Sequence, residues 1–247
     1  MSFIRTVHVT LISPSIRASP TLDFVFAPVI DGIVIKDHLI SMVQQGHIRP
    51  NTPITWSYSK DDAWNFSEDA FNFIMTKYFP SESAESITSP YIDKFFEIAY
   101  PSHAAQLRSV FGCGAKDCKE QFARWIQASH WYCNTRWALK GATQHSHVGP
   151  VYPVQFEEPN CDSQTKSCHC SEGAYVRGQR ATQFGRQMKA TWGEFYKRGE
   201  SSLEAFDSSI DKFNIVSASK WAHEEVLDWA ECDVLDAIGI DAYVFDQ

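Results

Sequence analysis

The sequence predicts an α/β layer architecture. Two strand-like segments are each followed by a loop bearing titratable residues, and amphipathic helices run between and after them. Residues 52–59 (TPITWSYS) have the β-branched and aromatic content of a buried strand. Residues 149–156 (GPVYPVQF) alternate Val151, Pro153 and Gln155 against Tyr152, Val154 and Phe156. A chain of 247 residues, 44% hydrophobic and 14% aromatic, is large enough and apolar enough to bury a core, which excludes intrinsic disorder. The 22 Lys+Arg against 30 Asp+Glu give a net charge of -8. An acidic surface repels phosphate backbones, so nucleic acid is not an expected partner. No apolar stretch reaches the roughly 18–20 residues of a transmembrane helix, so no membrane span is expected.

Along the chain, residues 24–32 (FVFAPVIDG) read as an extended segment ending in a turn at Asp31-Gly32, because Pro28 is barred from a helix interior. Residues 33–46 read as a short helix, with Leu39, Ile40 and Val43 at helical spacing and Gly46 as its stop. Asp61-Asp62-Ala63 leads from the first strand into a helix carrying Phe66, Phe71 and Phe73. After a polar loop over 83–90, helices are expected from Ser89 and over 117–139. In the second, Phe122, Trp125, Ile126, Ser129 and Cys133 share one face. Pro153 cannot donate to a ladder, which places it towards one end of the second strand. Residues 160–173 form a polar loop dense in Cys, and 183–196 a helix with Phe184, Met188, Trp192 and Phe195 on its apolar face. No internal repeat, low-complexity tract or interdomain linker is visible.

The seven cysteines include no Cys-x-x-Cys pair, which argues against a zinc ribbon or a thioredoxin-type site. Cys113/Cys118 and Cys161/Cys168 are spaced as short disulfide-closed loops, the usage of an oxidising, extracellular or secretory compartment. Residues 1–20 supply no matching address. Their apolar stretches are broken by His8, Thr10 and Ser13, which makes a poor signal peptide.

Chemistry concentrates in the loops after the two strands, Ser59-Lys-Asp-Asp-Ala-Trp-Asn-Phe and Ser167-Cys-His-Cys-Ser-Glu. Sites in open α/β sheets gather beyond the carboxyl ends of strands. An acid from one loop and a His from the next, in that order, is the back half of an α/β-hydrolase triad. The acid fixes the imidazole's tautomer, and the His takes the proton of a nucleophilic Ser. Other readings stand beside this one. A loop Asp also serves as a helix N-cap, and Cys170 beside His169 raises the question of a Cys-His centre. His145-Ser-His147 and Cys168-His169-Cys170 are ligand-type clusters, but no Cys spacing supports zinc, and neither metal nor cofactor is expected. Asn65-Phe66-Ser67 is a glycosylation sequon that reads as incidental.

Five segments carry a family resemblance. Phe26-Ala-Pro-Val-Ile-Asp-Gly resembles the Pro-Val-(Val/Ile)-Asp-Gly segment of the type-B carboxylesterases, the group that includes cholinesterases. The Ser59–Phe66 loop is similar to their Asp-Glu-Gly-x-x-Phe loop, with Asp62 at the position of the triad acid. Cys168-His169-Cys170-Ser171-Glu172 resembles their Cys-His-Gly-x-Glu loop, in which the His is the catalytic base. Gln187-Met-Lys-Ala-Thr-Trp-Gly-Glu-Phe-Tyr-Lys-Arg-Gly is similar to a (Met/Leu)-x-x-x-Trp-x-x-Phe-x-x-x-Gly helix, and Glu231-Cys-Asp-Val-Leu-Asp to the terminal Cys-Asp-x-Trp segment. The resemblance implies an α/β-hydrolase fold, a carboxylic ester substrate and a Ser-acid-His triad. It also implies a disulfide Cys133–Cys232; with the two close pairs closed as well, Cys170 is left as the odd thiol.

The departures are specific. Asp62 replaces Glu, Ala63 replaces Gly, Cys170 replaces the Gly after the base, and Leu235 stands where Trp is usual. No Gly-x-Ser-x-Gly and no Gly-Gly run occurs, so neither a nucleophile elbow nor oxyanion-hole amides are visible. The expectation is the C-terminal part of an α/β-hydrolase over residues 24–247, with an incomplete central sheet and flanking helices, after an unmatched segment 1–23. Such a part carries acid and base and is inactive alone, since loss of a nucleophilic Ser costs about six orders of magnitude in turnover. An N-terminal half-domain chain is then the expected partner. The alternative is a non-catalytic, cholinesterase-like adhesion module, which has no need to keep both Asp62 and His169. The triad reading requires those two side chains to lie within hydrogen-bond reach.

Overall fold

A computed structural model describes residues 33, 37, 39–82, 87–114, 117–159, 165–225 and 229–238. The chain divides into two units, Met1–Asp37 and His38–Gln247. The segments 1–23 and 24–32 distinguished in the sequence lie outside the described residues. In the second unit, strands β1 (Ile54–Ser59), β2 (Val151–Phe156), β3 (Lys212–Val216) and β4 (Trp221–Glu225) form one open sheet in that order. The β1–β2 and β2–β3 pairs are parallel, and β3–β4 is antiparallel. Parallel neighbours need long crossovers, and these carry the helices. Between β1 and β2 lie α2 (Ser67–Tyr78), α3 (Ser89–Ala99), α4 (Ala104–Phe111), α5 (Lys119–Gln127) and α6 (Cys133–Ala142). Between β2 and β3 lie α7 (Glu172–Val176) and α8 (Gln183–Arg198).

Both faces of the sheet are covered, as parallel strands require. Trp56 and Tyr58 of β1, with Phe213 and Ile215 of β3, pack into the larger cluster with Phe71, Phe95, Phe96, Phe122 and Trp125 from the first crossover. The alternate face sets Val154, Phe156 and Val216 against Tyr175 of α7 and Phe184, Met188 and Trp192 of α8. The architecture is therefore mixed α/β, an open four-stranded sheet with flanking helices. Among the described residues no strand pairs with the outer edge of β1.

Several elements differ from the sequence reading. The helix expected over 33–46 is α1 (Leu39–Gln44), with residues 34–36 and 38 outside the described set. Phe66 precedes α2 instead of lying in it, because Asp62–Trp64 first form a 3₁₀ turn. The helix over 117–139 becomes α5, a π-helical turn (Ala128–Tyr132) and α6 in continuous succession, with all five residues of the expected face buried. The β3–β4 hairpin and α4 do not figure in the sequence reading. Pro153 lies in the middle of a central strand. Its carbonyl accepts from the Asn214 side chain at 2.9 Å, and the β3 ladder begins only at Val154↔Asn214, so the missing N–H falls where no β3 residue is paired with it. The 183–196 helix extends to Arg198. Thr182 Oγ1 accepts from Gly185 N–H at 3.0 Å at its start, and Gly199 ends it at φ 70°, a left-handed cap that favours glycine.

Two disulfides join described residues. Cys133–Cys232 ties the start of α6 to α9 (Trp229–Ile238) across 99 positions, and Cys113–Cys118 closes a short loop. Cys168 is also disulfide-bonded; its expected partner, Cys161, lies outside the described residues. Cys170 is a free, exposed thiol. No helix among the described residues is long and apolar enough to cross a membrane.

Candidate active site

Because β1 and β2 run parallel and end in register at Ser59↔Phe156, the loops after them leave the sheet side by side. Lys60 N–H donates to Phe156 O at 2.9 Å and carries the ladder one step beyond the strands. Asp62 and His169, 107 positions apart, then meet, with Nδ1 of His169 2.9 Å from Oδ1 of Asp62. Asp62 is 2% exposed, and its Oδ2 accepts from the Ser59 N–H at 2.8 Å. A carboxylate can only accept, so the Asp62 contact places the imidazole proton on Nδ1. Nε2 has no hydrogen-bond partner among the described residues, and in the neutral imidazole it carries the lone pair. Orientation by a buried acid and a free second nitrogen are what a general base requires.

The first crossover supports the loop that carries Asp62. Gln127, the last residue of α5, accepts from Ala63 N–H at 2.9 Å and donates to Ser59 O at 3.1 Å. The π turn that follows widens the helix by one residue, a feature frequent at functional sites. Within this turn lies Trp131, whose ring stacks on Phe66 and lies 6.0 Å from the imidazole of His169; Phe66 meets the same imidazole edge-on at 5.1 Å. The hydrogen bond to Asp62 raises the His169 imidazole above its ordinary value of 6.5; burial opposes this, and the charges of Asp62 and Glu172 reinforce it.

Cys170 adopts φ 59°, the left-handed region that favours glycine. Burial first, then the carboxylates of Glu172 and Asp62, push its thiol above the ordinary value, which lowers the thiolate fraction a nucleophile needs. Cys170 also makes no hydrogen bond to His169 among the described residues, which argues against a Cys-His centre. Ser171 Oγ donates to the carbonyl of Cys168, not to His169. His145 and His147 face the backbone carbonyls of Gln44 and Gly46. Among the described residues no group of three His, Cys, Asp or Glu side chains is arranged to hold a metal.

Asp62 and His169 were legible as a pair. Their supports, Asp61, Gln127, Trp131 and Ser167, were not singled out. Gln127 left a faint signal, a polar residue in the run Trp-Ile-Gln-Ala of an otherwise apolar helix face. No protein-family model matches the sequence, and no curated protein matches it.

Proposed function

We propose that Asp62 and His169 are the acid and base of a serine-type hydrolase of carboxylic esters, on the acid–base portion of an α/β-hydrolase of the type-B carboxylesterase kind. The observation that carries this reading is the 2.9 Å Asp62–His169 contact, made by loops at the carboxyl ends of adjacent parallel strands. Two features agree with the resemblance. Cys170 takes a left-handed φ at the position where the family has Gly, and Gly199 takes one at the end of the helix that the family also closes with Gly.

In this reading Nε2 of His169 removes the proton of a serine hydroxyl as its oxygen attacks the acyl carbon. Asp62 steadies the imidazolium, which then gives its proton to the leaving alkoxide; water repeats the sequence on the acyl-enzyme. The serine and the oxyanion-hole amides are supplied by residues that are not in this sequence. The chain alone should hydrolyse p-nitrophenyl acetate no faster than its His169→Ala variant. Adding a separately produced N-terminal half of a related esterase, with its Gly-x-Ser-x-Gly elbow, should restore hydrolysis. That restored activity should fall about 10⁴–10⁶-fold with Asp62→Ala or His169→Ala. Restored hydrolysis that ignores both substitutions would refute the assignment.

A further inference from the structure

We infer that Asp61 is a positioning residue for the acid–base pair, clasping the base loop to the acid loop through Ser167. Its neighbour Asp62 is the acid, and Ser167 lies two residues before the base. The clasp is reciprocal: Asp61 N–H donates to Ser167 O at 3.0 Å, and Ser167 N–H donates to Asp61 Oδ2 at 2.9 Å. Ser167 is 1% exposed, and its Oγ donates to Phe156 O at 3.0 Å, so the residue is held at its N–H, its C=O and its side chain. From there the chain has only Cys168 to cross before His169.

Asp61 stands at the N-cap position of the 3₁₀ turn that contains Asp62, yet its side chain makes no capping bond. A loop Asp ordinarily turns onto its own helix; this one turns onto the other loop. Its second oxygen lies 3.4 Å from Lys166 Nζ, which also bonds Glu120 on α5 at 2.8 Å and lies 4.7 Å from the ring of Trp64. The carboxylate thus joins the base loop, the acid loop and α5 at one point. Without an acceptor for the buried Ser167 N–H, the base loop has reason to shift and satisfy it elsewhere. A donor–acceptor contact of 2.9 Å weakens steeply as it lengthens or tilts, so a small shift reaches His169.

This assignment rests on reading Asp62–His169 as an acid–base pair, but its test needs no ester hydrolysis, so the two fail separately. The readout is the nuclear magnetic resonance titration of His169 and its downfield Nδ1–H signal in the full chain. Around the imidazole stand Asp62, Glu172, Cys170, Phe66 and Trp131; Asp61 is not among the charges that raise it. In Asp61→Ala the His169 midpoint should fall towards 6.5 and the Nδ1–H signal should broaden or vanish, with the circular dichroism spectrum unchanged. Asp61→Asn keeps an acceptor for Ser167 N–H and should retain most of the raised midpoint. An unchanged midpoint in Asp61→Ala, or an Asn variant as low as the Ala variant, would overturn the positioning role. If Asp61→Ala does not fold, hydrogen exchange in the unaltered chain decides. The Ser167 amide should be protected as well as the β2 ladder amides, and exchange at an exposed rate would overturn the clasp.

Discussion

Asp62 and Glu231 are both 2% exposed, yet their partners differ in kind. Asp62 accepts from a backbone N–H and from the imidazole of His169, whose side chain is 41% exposed. Glu231, on α9, accepts from the Arg124 guanidinium of α5 and the Tyr132 hydroxyl of the π turn. A guanidinium keeps its charge at any working pH, so the Arg124 partner of Glu231 does not titrate near neutrality. The imidazole exchanges a proton in that range and stands where solvent reaches it. Burial of a carboxylate therefore does not mark a site by itself. What separates the regions is the partner: a fixed charge makes a joint between helices, and a titrating one makes a chemical group.

The largest test of that separation removes the covalent link beside Glu231. The Cys133→Ser, Cys232→Ser double variant opens a loop of 99 positions and should cost about 4–5 kcal/mol in the chain-entropy model. Urea unfolding should show the loss, while the His169 titration stays where it was. A shifted titration would mean that α9 and the Asp62–His169 corner are one mechanical unit.

A smaller perturbation acts on the same joint without touching the disulfide. Glu231→Ala deletes a charged acceptor shared by two donors. Hydrogen bonds to charged groups contribute about 1.5–3 kcal/mol, and half-exposed Arg124 recovers part of its share from water. The expected cost is about 2 kcal/mol by urea unfolding, again with no change at His169. The corresponding change at the other corner, Asp62→Asn, should move the His169 midpoint down.

What the sequence made visible follows the same division. The nearness of Asp62 and His169 was legible in two parts: β-branched and aromatic runs followed by polar loops are local signals, whereas the choice of Asp62 and His169 within those loops came through the family resemblance. The joint was only partly legible. Cys133 and Cys232 could be matched through a family resemblance, but nothing in a single sequence announces that Glu231 meets Arg124, a contact 107 positions long. Short elements were invisible for a related reason. A five-residue strand such as Lys212–Val216 spans too few alternations to separate from a loop, and its place is set by pairing with β2. The mid-strand Pro153 misled because a residue scale carries no information on which flank of the strand lacks a partner.

The smallest expected effect divides the two regions by pH. Burial pushes the Glu231 carboxyl above its ordinary value of 4.5, with Arg124 pulling the other way. The bond to Asp62 holds His169 above 6.5. In both cases the folded state binds the proton more tightly than the unfolded one, so stability falls as pH rises through the window between unfolded and folded values. For Glu231 that window opens at about 4.5, and for His169 at about 6.5. The stabilisation at His169 is complete below 6.5 and gone above its folded value. Exposure of the imidazole keeps it below about 1 kcal/mol. Urea unfolding from pH 4 to pH 9 should therefore show two separate declines. Glu231→Gln should reduce the lower one, which the likewise raised Asp236 carboxyl shares, and leave the upper, whereas His169→Ala should remove the upper and leave the lower. If either substitution removed both declines, the Glu231 carboxyl and the His169 imidazole would be sensing one shared opening of the structure, and the contrast between joint and chemical group would fail.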